Sequence, residues 1–439
     1  MKKCLLSLLF FFATAICTFS QLSPFLKQIK NYAARERPDN FDPEKTDFSN
    51  QVHGNLHYLL PLYASLLNEE KLIKKYTKAG FYSNASQLIS FTGDYFSAIQ
   101  FAVKGFDSLK SSVVRTIATH VEEFKGLSHT DARKYILEQT KDQQVVMINE
   151  AHCKPLHRAF TMSLLDDLYK QGFRYLALEA LNNYSKQSLQ RVDVNTGYYL
   201  AEPIGGELVR MALKLGYLLI PYEDTAASRH TGTQRDSIQA DNIYKVIQKD
   251  PGAKILVHAG YGHIAEEPFG IDYIPLGLAF KKLSGIDPFT IDQTEMTDGS
   301  NFEYGRIFYD SYVNKYPIQN VSVAIQKNKP LSPLENTGFD LTIIHPRTIY
   351  KNGRATWYSL NGMRTEIAIK PTERSLFMVQ AYYENEYSEK YLGLKIPADQ
   401  TYVAAENGYY YLYLQKGKYK LVYRNINYQA ISSKDIEVN

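Results

Sequence analysis

The sequence predicts an α/β protein: a largely parallel sheet with flanking helices, preceded by an α-helical region and followed by a small all-β, sandwich-like domain. Two observations carry this reading. Between residues 144 and 258, short apolar runs alternate with amphipathic stretches, which is the pattern of βαβ units. On either side the period changes, to apolar residues three and four apart before this section and to alternating Tyr-rich segments after it.

Residues 1–20 have the layout of a secretory signal. Lys2 and Lys3 form a basic start, Leu5 to Ile16 is an apolar stretch too short to span a bilayer, and Thr18 and Ser20 place small residues before Gln21. This predicts an exported chain, periplasmic or secreted. Lipid anchoring at Cys17 is disfavoured, because Ile16 stands where lipoprotein signals carry a small residue. After cleavage Cys153 is the one remaining thiol, so internal disulfides are excluded and stability rests on apolar cores. A length of 439 residues with 44% hydrophobic residues is enough for two or three domains. A formal net charge of +4 and the lack of a dense Lys/Arg run argue against a nucleic-acid partner. No later apolar run is long enough to cross a membrane.

Residues 21–127 form the expected helical region, with Leu56, Leu59, Leu60 and Tyr63 at helical spacing. Within it, Gly93-Asp94-Tyr95-Phe96-Ser97-Ala98-Ile99-Gln100-Phe101 resembles the second-helix half of a tetratricopeptide repeat. Stacked repeats need neighbours, so a helical hairpin packed on the next domain competes with that reading.

Residues 128–362 hold the α/β section. Val145 to Ile148 reads as a buried strand, and Leu156, Phe160, Leu164 and Leu168 mark a helix closed by Gly172. Tyr175 to Leu178 is a second strand, followed by a helix around Leu208 to Leu215 that Gly216 breaks. Tyr217 to Pro221 is a third strand. Thr233-Gln234-Arg235-Asp236 has capping-box spacing and opens a helix that Asp250-Pro251-Gly252 stops; Lys254 to Val257 is a fourth strand. Tyr184 to Gly206 gives no pattern and is long enough for a lid. In residues 363–439, Tyr409 to Tyr423 reads as a β-hairpin turning at Gln415-Lys416-Gly417-Lys418. The tyrosines there pack sheet faces or, in a second reading, make a protein or glycan contact.

Polar residues fall at each strand end. Glu150 and His152 follow the first strand, Glu179 ends the second, Glu223 and Asp224 the third, and His258 the fourth, with His263 just beyond. The carboxyl ends of parallel strands share one edge, where ligands bind, so these groups are expected to build one site. Cys153 reads as a small buried hydrophobe before it reads as a nucleophile. His157 and Arg158 open the next helix, either on an exposed face or against substrate.

Ile148-Asn149-Glu150-Ala151-His152, Leu178-Glu179-Ala180, Gln234-Arg235-Asp236 and Gly260-Tyr261-Gly262-His263-Ile264, in that order, resemble a superfamily. It unites the erythromycin esterases, the ChaN-like haem-binding proteins and the TIKI proteases. The resemblance covers about Gln143 to Asp292, with a closing strand at Phe339 to His345. Asn149 stands where the family has Gly, and the Glu-x-His spacing is closer to the ChaN and TIKI branches than to the esterases.

The resemblance implies hydrolysis of an ester or amide (peptide) bond in a small-molecule or peptide substrate. His152 would be the general base, with Glu150, Glu179 and His263 around it and Arg235 facing the pocket. Arg235, Glu223, His258, His157 and Arg158 are the expected substrate contacts. A divalent ion held by Glu150, His152 and His263 would activate water in the same place, although the spacing is not a recognised zinc motif. The ChaN-like branch implies haem or a related porphyrin instead, with Tyr261 or a histidine as ligand. A catalytically silent interaction scaffold is the third reading.

Overall fold

The computed structural model describes residues 22–38, 41–42, 48, 51–106, 110–183, 189–270, 272–300, 305–332 and 338–439. The expected signal, with Cys17, lies outside them, as do residues 184–188 of the expected lid.

Helices lead the chain: α1 Pro24–Glu36, α2 Leu60–Leu67, α3 Glu69–Phe91, α4 Tyr95–Lys104 and α5 Ser111–Glu123. The stretch resembling a tetratricopeptide half is α4 with its cap. Asp94 accepts from the Ser97 N–H at 3.1 Å, and Gly93 (φ 82°) turns the chain out of α3. A Cβ at Gly93 would collide with the Gln400 carbonyl, and Tyr402 donates to Asp94 at 2.9 Å. The α3–α4 pair therefore packs on the C-terminal region.

The α/β section continues with α6 Ala132–Gln139, β1 Val145–Glu150, α7 Pro155–Lys170, β2 Phe173–Leu178, α8 Pro203–Leu215, β3 Leu218–Pro221, α9 Gly232–Lys249 and β4 Lys254–Gly260. It ends with α10 Leu276–Ser284, β5 Phe289–Asp292, α11 Gly305–Lys315 and β6 Leu341–Thr342. The six strands form one sheet, all parallel, in the order β6-β5-β1-β4-β2-β3. Side chains alternate across it. Val146 and Ile148 face the core shared with α7 and α8, while Val145 and Met147 face that of α9 and α10. Both faces are covered, which is why these strands read as unbroken apolar runs.

Two elements of the α/β section differ from expectation. The strand at Phe289–Asp292 has no apolar run, because Thr290 and Asp292 interrupt it, yet it sits between β1 and the closing strand β6. The cap of α9 lies two residues earlier than its sequence spacing suggests. Thr231 and Gln234 form the capping box, and Thr233 instead donates to the Asp272 carbonyl at 3.0 Å.

The C-terminal region holds β7 Thr365–Ile369, β8 Met378–Tyr383, β9 Asp399–Thr401, β10 Tyr410–Leu414, β11 Gly417–Arg424 and β12 Ala430–Val438. The expected hairpin between β10 and β11 does not form. β10 pairs with β7, whereas β11 pairs with β8 and β12, in a second antiparallel sheet ordered β9-β8-β11-β12. The connection at Gln415 and Lys416 crosses between sheets, so Leu412 and Leu414 meet Tyr419, Leu421 and Tyr423 through a common core. Two strands that both need an apolar partner face satisfy it across the layer. Three tyrosines are buried in that core: Tyr410, Tyr419 and Tyr423.

The largest buried cluster draws on all three sections, from Leu26 in α1 through Ile148 and Leu176 to Tyr402 and Tyr428. Among the described residues no helix is long and apolar enough to cross a membrane.

Candidate functional site

The parallel register brings the strand ends together. Glu150 lies opposite Gly260 across β1 and β4, and Leu178, just before Glu179, lies opposite His258. Asn149 fixes this edge by donating to Asp292 at 2.7 Å and to the Tyr261 carbonyl at 2.9 Å, and by accepting from the Gln293 N–H at 2.8 Å. Its amide thus ties β1 to the loop after β5 and to Tyr261, whose backbone is left-handed at φ 43°. A glycine at 149 could make none of these side-chain bonds.

Glu150 is buried and fully engaged. Arg158 donates to both its oxygens, Nε to Oε2 at 2.6 Å and Nη2 to Oε1 at 2.7 Å, and His152 Nδ1 meets Oε1 at 2.9 Å. Burial pushes the Glu150 carboxyl up, but the Arg158 charge and the bonds from His152 and Arg158 outweigh it and hold it well below the usual carboxylate range. An ionised carboxylate only accepts, so His152 donates through Nδ1 and leaves Nε2 as its free nitrogen. Arg158 Nη1 also reaches Glu202 at 3.2 Å, and Glu202 caps α8 by accepting from the Ile204 and Gly205 N–H groups at 2.9 and 2.8 Å. A buried line of Glu202, Arg158 and Glu150 thus orients one imidazole.

A second imidazole is held in the same manner. His263 Nδ1 meets Asp236 Oδ2 at 2.8 Å, and that oxygen also accepts from the Tyr273 hydroxyl at 2.7 Å and the Leu276 N–H at 3.0 Å. Burial lowers the affinity of His263 for a proton, but Asp236 and Glu179 reverse this and raise its pKa.

Glu179 stands between the two. It accepts from the Gly260 N–H at 2.5 Å and from Arg235 Nη2 at 2.7 Å, and its Oε1 lies 3.9 Å from His263 Nε2. Burial opposes its charge, yet His263, His152 and Arg235 bring its pKa down to about 2. A Cβ at Gly260 would stand 2.7 Å from His152 Nε2 and 3.0 Å from Glu179 Oε2, so both side chains approach the chain here as closely as only a glycine allows.

The remaining expected residues take other places. Arg235 faces this edge, but Glu223 holds its Nε and Nη2 and Glu179 shares Nη2; Nη1 points to His263 Nε2 at 3.3 Å. Glu223 serves Arg235 and Gln239, and Asp224 binds His230 at 2.6 Å. His258 lies below the crevice, 5% exposed, with Nε2 3.8 Å from Glu150 Oε2; burial lowers its pKa to about 4. His157 and Arg158 are not on an exposed helix face. Both are buried, and His157 accepts from the Ala151 N–H at 2.9 Å, which shapes the loop carrying His152. Cys153 is a buried free thiol.

Among the described residues no group of three His, Cys, Asp or Glu side chains is arranged to hold a metal ion. The trio of Glu150, His152 and His263 is not such a group, because the Arg158 guanidinium occupies both Glu150 oxygens.

Tyr273, Tyr199 and Glu202 escaped the sequence reading. Tyr199 lies in a 3-10 turn within the unpatterned stretch, and its ring stacks on His152 at 4.2 Å between centroids and 14° between planes. Glu202 precedes Pro203 at the start of α8; an acid before a proline at the first helical position is a start signal that could have located it.

Comparison of the chain with protein-family models, curated proteins and solved structures gives no match.

Proposed function

We propose that this chain is an exported hydrolase of an ester or amide bond, with His152 as general base. The observation that carries the reading is the His152 ring itself. Its Nδ1 is bonded to a buried, Arg-clamped carboxylate, and its Nε2 lies on the side of Gly260 and Glu179, at the carboxyl edge of a parallel sheet. The motif order shared with the esterase, ChaN-like and TIKI superfamily supports the same assignment.

The chemistry follows from these contacts. A water on the Nε2 side of His152 gives its proton to that nitrogen as it attacks the carbonyl carbon; the tetrahedral intermediate then collapses, the ester C–O or amide C–N bond breaks, and the His152 imidazolium returns the proton to the departing oxygen or nitrogen. Glu150 accepts the Nδ1–H and stabilises the imidazolium, and Arg158 keeps Glu150 ionised and in place. Glu179, ionised down to about pH 2, favours the positive charge that forms on the ring. Arg235 offers Nη1, the end of its guanidinium that no carboxylate holds, to the substrate side. Every one of these roles belongs to a residue of the chain, and no step needs a metal.

The test is a panel of aryl esters, lactones and peptides, followed by His152→Ala on whichever substrate turns over. A general base contributes about a hundred- to ten-thousand-fold in rate, so the variant should lose that much in kcat while keeping its melting temperature. Turnover by His152→Ala at the parent rate overturns the assignment.

A further inference from the structure

Behind the loop that carries His152 lies a layer of buried polar side chains that the reaction does not use. His157 of α7, Gln293 just past β5 and His345 just past β6 are all 0% exposed. Buried polar groups cost stability unless they are hydrogen-bonded, so their partners are the informative observation.

Their bonds converge on Glu150. On one flank Glu150 has β4, opposite Gly260. On the other flank the ladder from β1 to β5 ends at Ile148 and Ile291, short of Glu150. Beyond that point a side chain takes the place of a strand: Gln293 Nε2 donates to the Asn149 carbonyl at 2.6 Å and to the His157 carbonyl at 3.3 Å. Just past Glu150, the Ala151 N–H donates to His157 Nδ1 at 2.9 Å. The Asn149 carbonyl belongs to the peptide group before the Glu150 Cα, and the Ala151 N–H to the one after it. Both peptide groups that set the direction of the Glu150 side chain are therefore held by buried side chains.

The same bonds assign the protons. His157 Nδ1 accepts, so its proton is on Nε2. Gln293 spends its amide N–H groups on carbonyls, and its Oε1 accepts from His345 Nε2 at 3.2 Å, which anchors it from the segment after β6. Burial holds His157 well below its ordinary value and brings His345 to about 3, so both rings stay neutral near neutral pH and neither carries protons to the site.

We infer that His157 and Gln293 are positioning residues for the base: by fixing the two peptide groups that flank Glu150, they aim its carboxylate at His152 Nδ1. Arg158 holds the same side chain by its oxygens, so Glu150 is set from both ends. The effect on rate rests on the reading of His152 as general base; the effect on the ring does not.

The ring is read without a substrate. In the full chain labelled with 15N in its imidazoles, the two nitrogen shifts of His152, assigned by their loss in His152→Ala, report which nitrogen carries the proton. With the ring neutral, the parent should show a protonated Nδ1 and a bare Nε2. His157→Asn places a carboxamide oxygen where Nδ1 stood and should keep those shifts. His157→Gln carries its carboxamide one bond further out, and Gln293→Met keeps the length without the amide. Both should move the His152 shifts toward those of a free imidazole. On a substrate that turns over, these two should lose about tenfold or more in kcat with KM changed less than about twofold, while His157→Asn stays within about threefold of the parent. If one of the two fails to fold, the other decides. Unmoved His152 shifts in folded His157→Gln or Gln293→Met, or shifts lost equally in His157→Asn, overturn the inference. Shifts that respond as expected in a chain without turnover uphold the positioning and count against the hydrolase reading alone.

Discussion

Tyr199 lies face to face with His152, 4.2 Å between ring centroids, while Tyr261 meets the same imidazole edge-on at 5.0 Å. With Glu150 on Nδ1, the ring is fixed from three directions, and its Nε2 side faces Gly260 and Glu179. The stack is an orientation device, so the ring matters more than the hydroxyl. Tyr199→Phe should turn over near the parent rate, and Tyr199→Ala should lose about tenfold or more in kcat, because a small misplacement of a base is costly. Equal rates for the two variants would remove Tyr199 from the machinery.

Arg158 neutralises two buried carboxylates at once, Glu150 and Glu202. Arg158→Met keeps most of the side-chain volume but strands both charges, at a cost of about 3–5 kcal/mol in urea unfolding. Adding Glu202→Gln removes one stranded charge and should recover part of that loss. If the single variant cost less than about 1 kcal/mol, as an exposed pair would, the buried clamp would be refuted.

The division of this fold into helical, α/β and β sections was legible because each has its own apolar period. The strand ends were legible as a site because parallel strands deliver their last residues to one edge, as Glu150, Glu179 and His263 show. What stayed hidden depended on partners far away in sequence. The Phe289–Asp292 strand carries polar residues that only a neighbouring strand explains, since Asp292 exists there to receive Asn149. Arg158 read equally as a helix-surface cation or a substrate contact, because its partner Glu202 is 44 residues away in an unpatterned stretch. The hairpin expectation failed for a related reason. Alternation sets which side of a strand is apolar, but β10 and β11 had two ways to bury that side, and the core between the sheets selected the crossing.

Acid should destabilise the protein in two stages. Burial lowers the pKa of His258 to about 4 and of His345 to about 3, and holds His157 well below its ordinary value. An unfolded His titrates near about 6.5, so the stability from these neutral imidazoles is fully present above that pH and is lost as pH falls toward about 4. Glu179 and Glu150 are depressed carboxylates, and their contribution is lost lower, as pH falls from about 4.3 toward about 2. His258→Gln should flatten the upper stage by on the order of 3 kcal/mol between about pH 6.5 and about pH 4, read from urea midpoints. An unchanged pH slope in that variant would mean His258 is already protonated in the folded state.

Chelation and haemin separate the remaining chemistries. Exhaustive treatment with EDTA should leave the melting temperature unchanged, because a metal bound only by the folded state would stabilise it and its removal would lower the transition. Haemin should give no saturable Soret shift at one per chain through Tyr261, which is buried, its phenol pushed far up by that burial. A chelator-induced drop in melting temperature, restored by added divalent ion, would establish a metal site. A stoichiometric Soret shift lost in His263→Ala would establish the haem reading.

Gly260→Ala tests the site by sterics alone. The glycine has φ −79° and ψ 139°, a conformation any residue adopts, so the substitution brings no backbone strain. Its methyl group would lie 2.5 Å from His152 Cε1 and 2.7 Å from Nε2, closer than real carbon contacts allow. The ring can yield only by leaving the Glu150 bond and the Tyr199 stack, and Glu179 Oε2, 3.0 Å from the same point, limits movement on the other side. One added methyl in a packed place costs about 1–3 kcal/mol of stability, which leaves the protein folded. Turnover should fall far more, by about a hundredfold or greater, because the base no longer faces the space it serves. The two readouts therefore diverge: a modest drop in melting temperature beside a large loss of kcat. Parent-level turnover in a folded Gly260→Ala protein would show that the reacting water does not sit between His152 and Glu179.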